Sequence, residues 1–291
     1  MTTIAVPGLP AAAGLVRLIA SDLDGTLLHH HQEVTPRTAA AIGAAFGAGL
    51  MVVAATGRQF PQLPEPVLAS GIRYVVASNG AIGVDLADMT VLFEDLLAPE
   101  VAADIVAYLT AELEGVRFSA VRDSGARHAA EPGYLDLVSP AERAQWVEIA
   151  RPESLADVVS QPTLKLTVRH PSLTADDLLA VLDASGLSGF HATTSGAPFL
   201  EIQGAGVTKA YGVARLCELL GFEAGDVMAA GDARNDVELL AWAGFGVAMG
   251  NAVPEALAAA DWTTAHNEDD GLALAIEQVL AAQARKVIVT E

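Results

Sequence analysis

Leu15-Val16-Arg17-Leu18-Ile19-Ala20-Ser21-Asp22-Leu23-Asp24-Gly25-Thr26 joins an apolar run to two carboxylates and a glycine turn. Side chains alternate along a strand, so Asp22 and Asp24 are expected on one face at its carboxyl end, the edge where open α/β sheets place their ligands. Two such carboxylates can divide two tasks, one attacking as a nucleophile and its neighbour carrying a proton. A capped turn uses the same residue types. The reading therefore depends on what else the chain brings to that edge.

A second apolar run, Leu50 to Ala55, ends in Thr56-Gly57-Arg58, a hydroxyl and a glycine N–H suited to a phosphate oxygen. A third, Val227-Met228-Ala229-Ala230, runs into Gly231-Asp232-Ala233-Arg234-Asn235-Asp236. Between them Gly206-Val207-Thr208-Lys209 opens an amphipathic segment and offers one cation. Three strand ends and a lysine form one constellation.

Short apolar strands alternate with helical segments, which predicts an α/β fold with a Rossmann-like, mainly parallel sheet covered on both faces. Thr35 caps a helix that has Pro36 at its first position and runs to about Gly49. Tyr74 to Ala77 is a further strand, and Ala81 to Val84 with Thr90 to Phe93 reads as a hairpin. From there the chain is expected to leave the core. Residues 85–197 read as an α+β insertion, with helices near 99–114, 139–149 and 173–185 and strands at 116–121, 163–168 and 190–194. The core, 14–84 and 198–291, is expected to resume with a strand at 199–203, and residues 1–13 read as a tail.

The motifs DLDGTLL (Asp22 to Leu28), ATGR (Ala55 to Arg58), SNGA (Ser78 to Ala81), GVTKA (Gly206 to Ala210) and GDARNDVELL (Gly231 to Leu240) occur in an order and spacing that resemble the haloacid dehalogenase-like phosphohydrolases. The chain is most similar to their Cof-type subclass, which carries a type IIB cap domain between the second and third motifs. Gly250-Asn251-Ala252 and Asn267-Glu268-Asp269-Asp270-Gly271 extend the match almost to the last helix. Ala210 replaces the usual glycine after the lysine, and Leu239 stands where methionine is common. Neither carries chemistry.

The resemblance implies a Mg²⁺-dependent phosphatase acting on small phosphate monoesters, sugar phosphates or related metabolites, through an aspartyl-phosphate on Asp22. It implies as metal ligands the Asp22 side chain, the Asp24 backbone carbonyl and Asp232, with Asp236 in support. Asp24 is the expected proton carrier, and Lys209 and Thr56 the expected partners of the nucleophile and the phosphoryl group. Gly57 and Asn235 are candidate phosphate donors, and Arg58 and Asn79 candidate substrate contacts. A phosphotransferase or phosphomutase would share the phosphoenzyme, and a sugar-phosphate-binding regulator would keep the fold without turnover.

Other residues draw plainer expectations. His29-His30-His31 is read as a solvated loop and excluded from the metal site, because neighbours on an extended chain point apart. Glu201 reads as a strand-edge charge. In the insertion Arg122, Arg127, His128 and Lys165 are candidates for reading a leaving group, with a solvated surface the competing expectation.

With 16 Lys and Arg against 36 Asp and Glu, the formal net charge of -20 opposes binding to nucleic acid or anionic membrane, and neither is expected as a partner. The same acidity would oppose an anionic substrate unless a bound cation offset it. The lone Cys217 allows no intrachain disulfide, suits a reducing cytoplasm and is expected in the core. No signal peptide or membrane span is expected. A monomer or small homo-oligomer is expected, with a small phosphorylated metabolite as its partner.

Overall fold

The computed structural model describes Ala13, residues 15–139 and residues 150–289. The first five strands are β1 (Leu18–Ser21), β2 (Met51–Ala55), β3 (Tyr74–Ala77), β4 (Ile82–Asp85) and β5 (Thr90–Glu94). Then come β6 (Arg117–Arg122), β7 (Arg127–Ala130), β8 (Ala150–Pro152), β9 (Lys165–Arg169), β10 (Phe190–Thr193) and β11 (Leu200–Gly204). Last are β12 (Val227–Gly231), β13 (Phe245–Ala248) and β14 (Trp262–Thr263).

They form two sheets, one of eight strands in the order β14-β13-β12-β1-β2-β3-β4-β5 and one of six in the order β10-β11-β9-β6-β7-β8. In the larger sheet β14 through β3 are parallel, and the β4–β5 hairpin adds two antiparallel strands at one edge. This is the expected α/β architecture. The chain leaves β1 toward β2 on one side and later enters β12 on the other, so the strand order reverses between β1 and β12. That reversal opens a crevice at the carboxyl ends, where side chains from both strands can converge.

All four side chains of β1 are buried because helices cover both faces. Ile19 packs in one cluster with Ile42 of the helix Pro36–Gly47 and Ile276 of the helix Gly271–Val289. Leu18 and Ala20 point the other way, against Val213 and Leu216 of the helix Lys209–Leu220. Truncating such a buried residue, as in Ile19→Ala, would cost about 2–5 kcal/mol. Thr35 caps the first helix as expected, its hydroxyl accepting from Thr38 N, and Pro36 is the first helical residue. Cys217 is buried in the second cluster, and burial pushes its thiol up to about 11.

Two strands lie elsewhere than expected. β5, expected outside the core, extends the larger sheet, and β11, expected to reopen the core sheet, lies in the smaller one between β10 and β9. Hydrogen-bond partners decide sheet membership, and β11 meets an antiparallel partner on each side before the chain returns to the core. The helix expected over 139–149 lies outside the described residues, except Ser139, as does most of the expected tail. No helix among the described residues is long and apolar enough to cross a membrane.

Candidate active site

Asp22, Thr56 and Asp232 are the residues that directly follow β1, β2 and β12. Register places these ends side by side, with Ser21 opposite both Ala230 and Ala54. The Asp22 N–H donates to Ala230 O at 2.9 Å and the Thr56 N–H to Val76 O at 2.8 Å, continuing the ladder to the edge of the sheet. Gly25 then turns the chain at φ +76, and a Cβ there would lie 2.4 Å from Asp232 Oδ2. Only glycine lets this turn pass so close to the opposing carboxylate.

Lys209 is the first residue of its helix and is fully buried. Its Nζ donates to Asp22 Oδ1 and Asp236 Oδ1, each at 2.7 Å. The other Asp236 oxygen accepts the N–H groups of Asp232 and Ala233 at 3.0 Å, so Asp236 secures both the lysine and the turn after β12. Asp232 accepts from Thr26 Oγ1 at 2.9 Å and from Asn251 Nδ2 at 3.3 Å.

One carboxylate oxygen from each of Asp22, Asp232 and Asp236 lies within 4.8 Å of the other two. One lysine does not balance them. Burial, then the Asp236 charge, holds the Asp22 carboxyl well above the usual carboxylate range. The same two causes push Asp232 up to about 6. An all-oxygen cluster with uncompensated negative charge fits a small hard divalent cation, which would hold these groups ionised.

Asp24 stays outside that carboxylate group and is half exposed. Arg58 grips it with Nε 2.7 Å from Oδ2 and Nη2 2.5 Å from Oδ1, and Gln32 adds a weaker contact. Burial opposes ionisation of Asp24, but the Arg58 hydrogen bonds and charge outweigh it and hold the carboxyl below its ordinary value. Arg58, expected to meet substrate, thus engages the expected proton carrier. Thr56 Oγ1 accepts the Arg58 N–H at 3.1 Å.

Above these groups lies a cavity of 370 Å³, walled from the core by Asp22, Asp24, Gly57, Arg58 and Asn235. Asn79 stands behind this wall, buried in a left-handed conformation (φ 57), and its Oδ1 accepts from Asn235 Nδ2 at 3.0 Å. The opposite wall comes from the smaller sheet and its loops: Lys165, Thr167, Ser195, Phe199 and Glu201.

Lys165 and Glu201 reverse their plainer readings, since both are buried and paired at 2.6 Å. Their signal in the sequence is period two: Lys165 and Thr167 alternate with Leu164, Leu166 and Val168, and Glu201 with Leu200 and Ile202. Of the other basic candidates, Arg122 donates to the carbonyls of Asp157 and Val158, Arg127 pairs with Glu153, and His128 is buried in β7. None of these three lines the cavity. His29 and His30 sit against Glu268, apart from the carboxylate cluster.

The haloacid dehalogenase-like hydrolase family profile matches residues 19–276. The Bacillus subtilis protein YxeH is 30% identical over 92% of this chain and 100% of its own length. The 5-amino-6-(5-phospho-D-ribitylamino)uracil phosphatase YcsE of Bacillus subtilis is 29% identical, covering 90% of this chain and 94% of its own. Among solved structures, the subclass IIB sugar phosphatase BT4131 superposes with a TM-score of 0.76 at 22% identity, over 90% of this chain and 98% of its own. TM0651 from Thermotoga maritima gives 0.72 at 26% identity, over 90% and 97%.

Proposed function

This chain belongs to the haloacid dehalogenase-like hydrolases, and from that premise we propose that it is a Mg²⁺-dependent phosphatase of small phosphate monoesters, sugar phosphates or related metabolites, working through an aspartyl-phosphate on Asp22. One observation carries the reading: a buried lysine 2.7 Å from Asp22, at the strand edge that also presents Asp232. Asp22, Asp232 and Asp236 would hold the metal, with the Asp24 backbone carbonyl as a further oxygen. When bound, the ion neutralises the dianion's repulsion of a carboxylate nucleophile.

The chain's own residues supply the rest. Lys209 favours the ionised form of Asp22 and fixes its orientation, so that an Asp22 oxygen bonds to phosphorus as the bond to the leaving oxygen breaks. Arg58 favours the ionised form of Asp24 in the free site, so Asp24 takes up a proton from solvent as the ester binds and delivers it to that oxygen. It then takes a proton from the water that attacks phosphorus and breaks the bond to Asp22, which regenerates the carboxylate and releases phosphate. Thr56, the Gly57 N–H and Asn235 are the donors for the phosphoryl oxygens, and Arg58 keeps Nη1 for the same task while Nε and Nη2 serve Asp24. Asn79 acts through Asn235. The smaller sheet is read as the cap domain, closing over the ester and shutting out water.

The test is release of inorganic phosphate from a panel of phosphorylated metabolites, with and without Mg²⁺. The reading expects turnover of several sugar phosphates and none after chelation. A panel left intact by folded, Mg²⁺-supplied protein would overturn it.

A further inference from the structure

One of the places where the smaller sheet touches the core is Gly57, in the turn after β2. On β9 and β11 the residues Lys165, Thr167, Glu201 and Gln203 form one polar face, with Glu201 paired to Thr167, while Leu166, Val168, Leu200 and Ile202 fill an apolar cluster behind it. From this face Lys165 Nζ donates to Glu201 Oε1 at 2.6 Å and to the carbonyl oxygen of Gly57 at 2.8 Å. Glu201 also accepts from Ser195 Oγ at 2.5 Å. Each of the two charged side chains is 2% exposed. A Cβ on Gly57 would lie 2.9 Å from Asn79 Oδ1 and 3.4 Å from Glu201 Oε1, so the approach tolerates no side chain without displacement.

The peptide unit joining Gly57 to Arg58 is thereby held at both ends, its oxygen by Lys165 and its N–H by Thr56 Oγ1 at 3.1 Å. A hydroxyl that spends a lone pair on that N–H keeps its own proton for another acceptor. The same peptide sets where the Arg58 side chain starts and where the Gly57 amide stands. Removing an ammonium and a carboxylate from water is costly, and apolar residues of similar volume commonly replace such pairs with no loss of stability. The pair is therefore better accounted for by what it holds than by fold stability.

We propose that Lys165, oriented by Glu201, is a positioning residue for the turn Thr56-Gly57-Arg58, setting that turn's geometry from the opposite sheet. It touches neither the nucleophile nor the proton carrier in this structure. The proposal rests on the phosphatase reading for its kinetic consequence but not for its structural one. Because the lysine acts on the phosphoryl side of the cavity, its loss affects good and poor leaving groups alike.

The experiment compares wild type, Lys165→Met and Lys165→Met/Glu201→Met. A misplacement of about 1 Å at a positioned group can cost about 10²-fold, so kcat is expected to fall by about 10- to 100-fold for both p-nitrophenyl phosphate and a sugar phosphate, with KM within about threefold. The Arg58 amide should exchange its hydrogen faster in both variants. The double variant leaves no buried charge unpaired, so it carries the test if Lys165→Met fails to fold. Wild-type kcat in the double variant would overturn the proposal, showing a charge pair that only compensates itself, as would unchanged exchange at Arg58. If wild type turns over no phosphate ester, the phosphatase reading falls, and exchange at Arg58 still decides whether Lys165 holds the turn.

Discussion

Lys209 Nζ lies 2.7 Å from Asp22 Oδ1 with its side chain fully buried, so the counter-charge of the proposed nucleophile is fixed before any substrate arrives. Asp236 shares the same ammonium at the same distance. Burial alone would strip the lysine of its proton, but the two carboxylates outweigh it and hold its pKa above the ordinary lysine range. The site thus carries a permanent cation on one side of Asp22 and a cluster of excess negative charge on the other.

Lys209→Met removes that cation while leaving two carboxylates out of water. Breaking a buried pair in this way costs about 3–5 kcal/mol, read as a lower urea midpoint in metal-free protein. Turnover of p-nitrophenyl phosphate should also fall by about 10² to 10³, the scale of losing one preorganised stabilising group. A variant with wild-type kcat would remove Lys209 from the chemistry.

Metal binding should be visible without turnover. An ion that binds only the folded state stabilises it by about 2.7 kcal/mol at 100 times its dissociation constant, so Mg²⁺ should raise the melting temperature by several degrees. Asp232→Asn should abolish the rise. The metal competes with protons on Asp22 and Asp232, so apparent affinity should weaken as pH falls below about 6. In metal-free protein the folded-state pKa of Asp232 exceeds its unfolded value, so its contribution to stability is present below about 4 and lost as pH rises through about 6. Equal Mg²⁺ protection at pH 5 and pH 7.5 would exclude these carboxylates as ligands.

Much of this site was legible because its parts obey local rules. An apolar run ending in Asp22-Leu23-Asp24-Gly25 points to carboxylates at a strand end, and the runs ending at Ala55 and Gly231 repeat the signal. Register between β1, β2 and β12 then brings the three ends together. The membership of β11 was not legible, since five residues alternating apolar and polar carry no mark of which sheet will pair them. Lys165 and Glu201 stand 36 residues apart, and alternation reveals their polar face but not the Gly57 carbonyl that covers it. The motif makes Arg58 a candidate substrate contact, yet its grip on Asp24 depends on two loops meeting in space.

His128 supplies an acid-sensitive term of opposite sign to Asp232. Burial, with a smaller effect from the Lys165 charge, brings its pKa down to about 3. Above about 6.5 the ring is neutral in both states and the contribution is complete. As pH falls from there toward 3 the unfolded chain takes a proton that the folded one refuses, and stability is lost. His128→Leu should therefore flatten the dependence of the urea midpoint on pH across that window. Identical slopes in the two proteins would show that the folded state protonates this ring as readily as the unfolded one.

Asp24 can be separated from Asp22 by choice of leaving group. Its carboxyl is assigned the proton that a departing alkoxide needs, and then the proton of the water that attacks the aspartyl-phosphate. An asparagine can do neither. A sugar alkoxide leaves poorly without that proton, whereas p-nitrophenolate leaves readily, so Asp24→Asn should block the first step mainly for sugar phosphates. With p-nitrophenyl phosphate the phosphoenzyme forms and then stalls, giving a burst of about one equivalent of phenolate before slow turnover. Acid–base assistance is worth about 10² to 10⁴, and the slow phase should fall by that order. Arg58, relieved of a charged partner, should keep its place through Gln32, whose Oε1 already accepts from its Nη2. Steady turnover near wild type on both substrates, with no burst, would assign the proton to another residue and leave Asp24 only its backbone carbonyl.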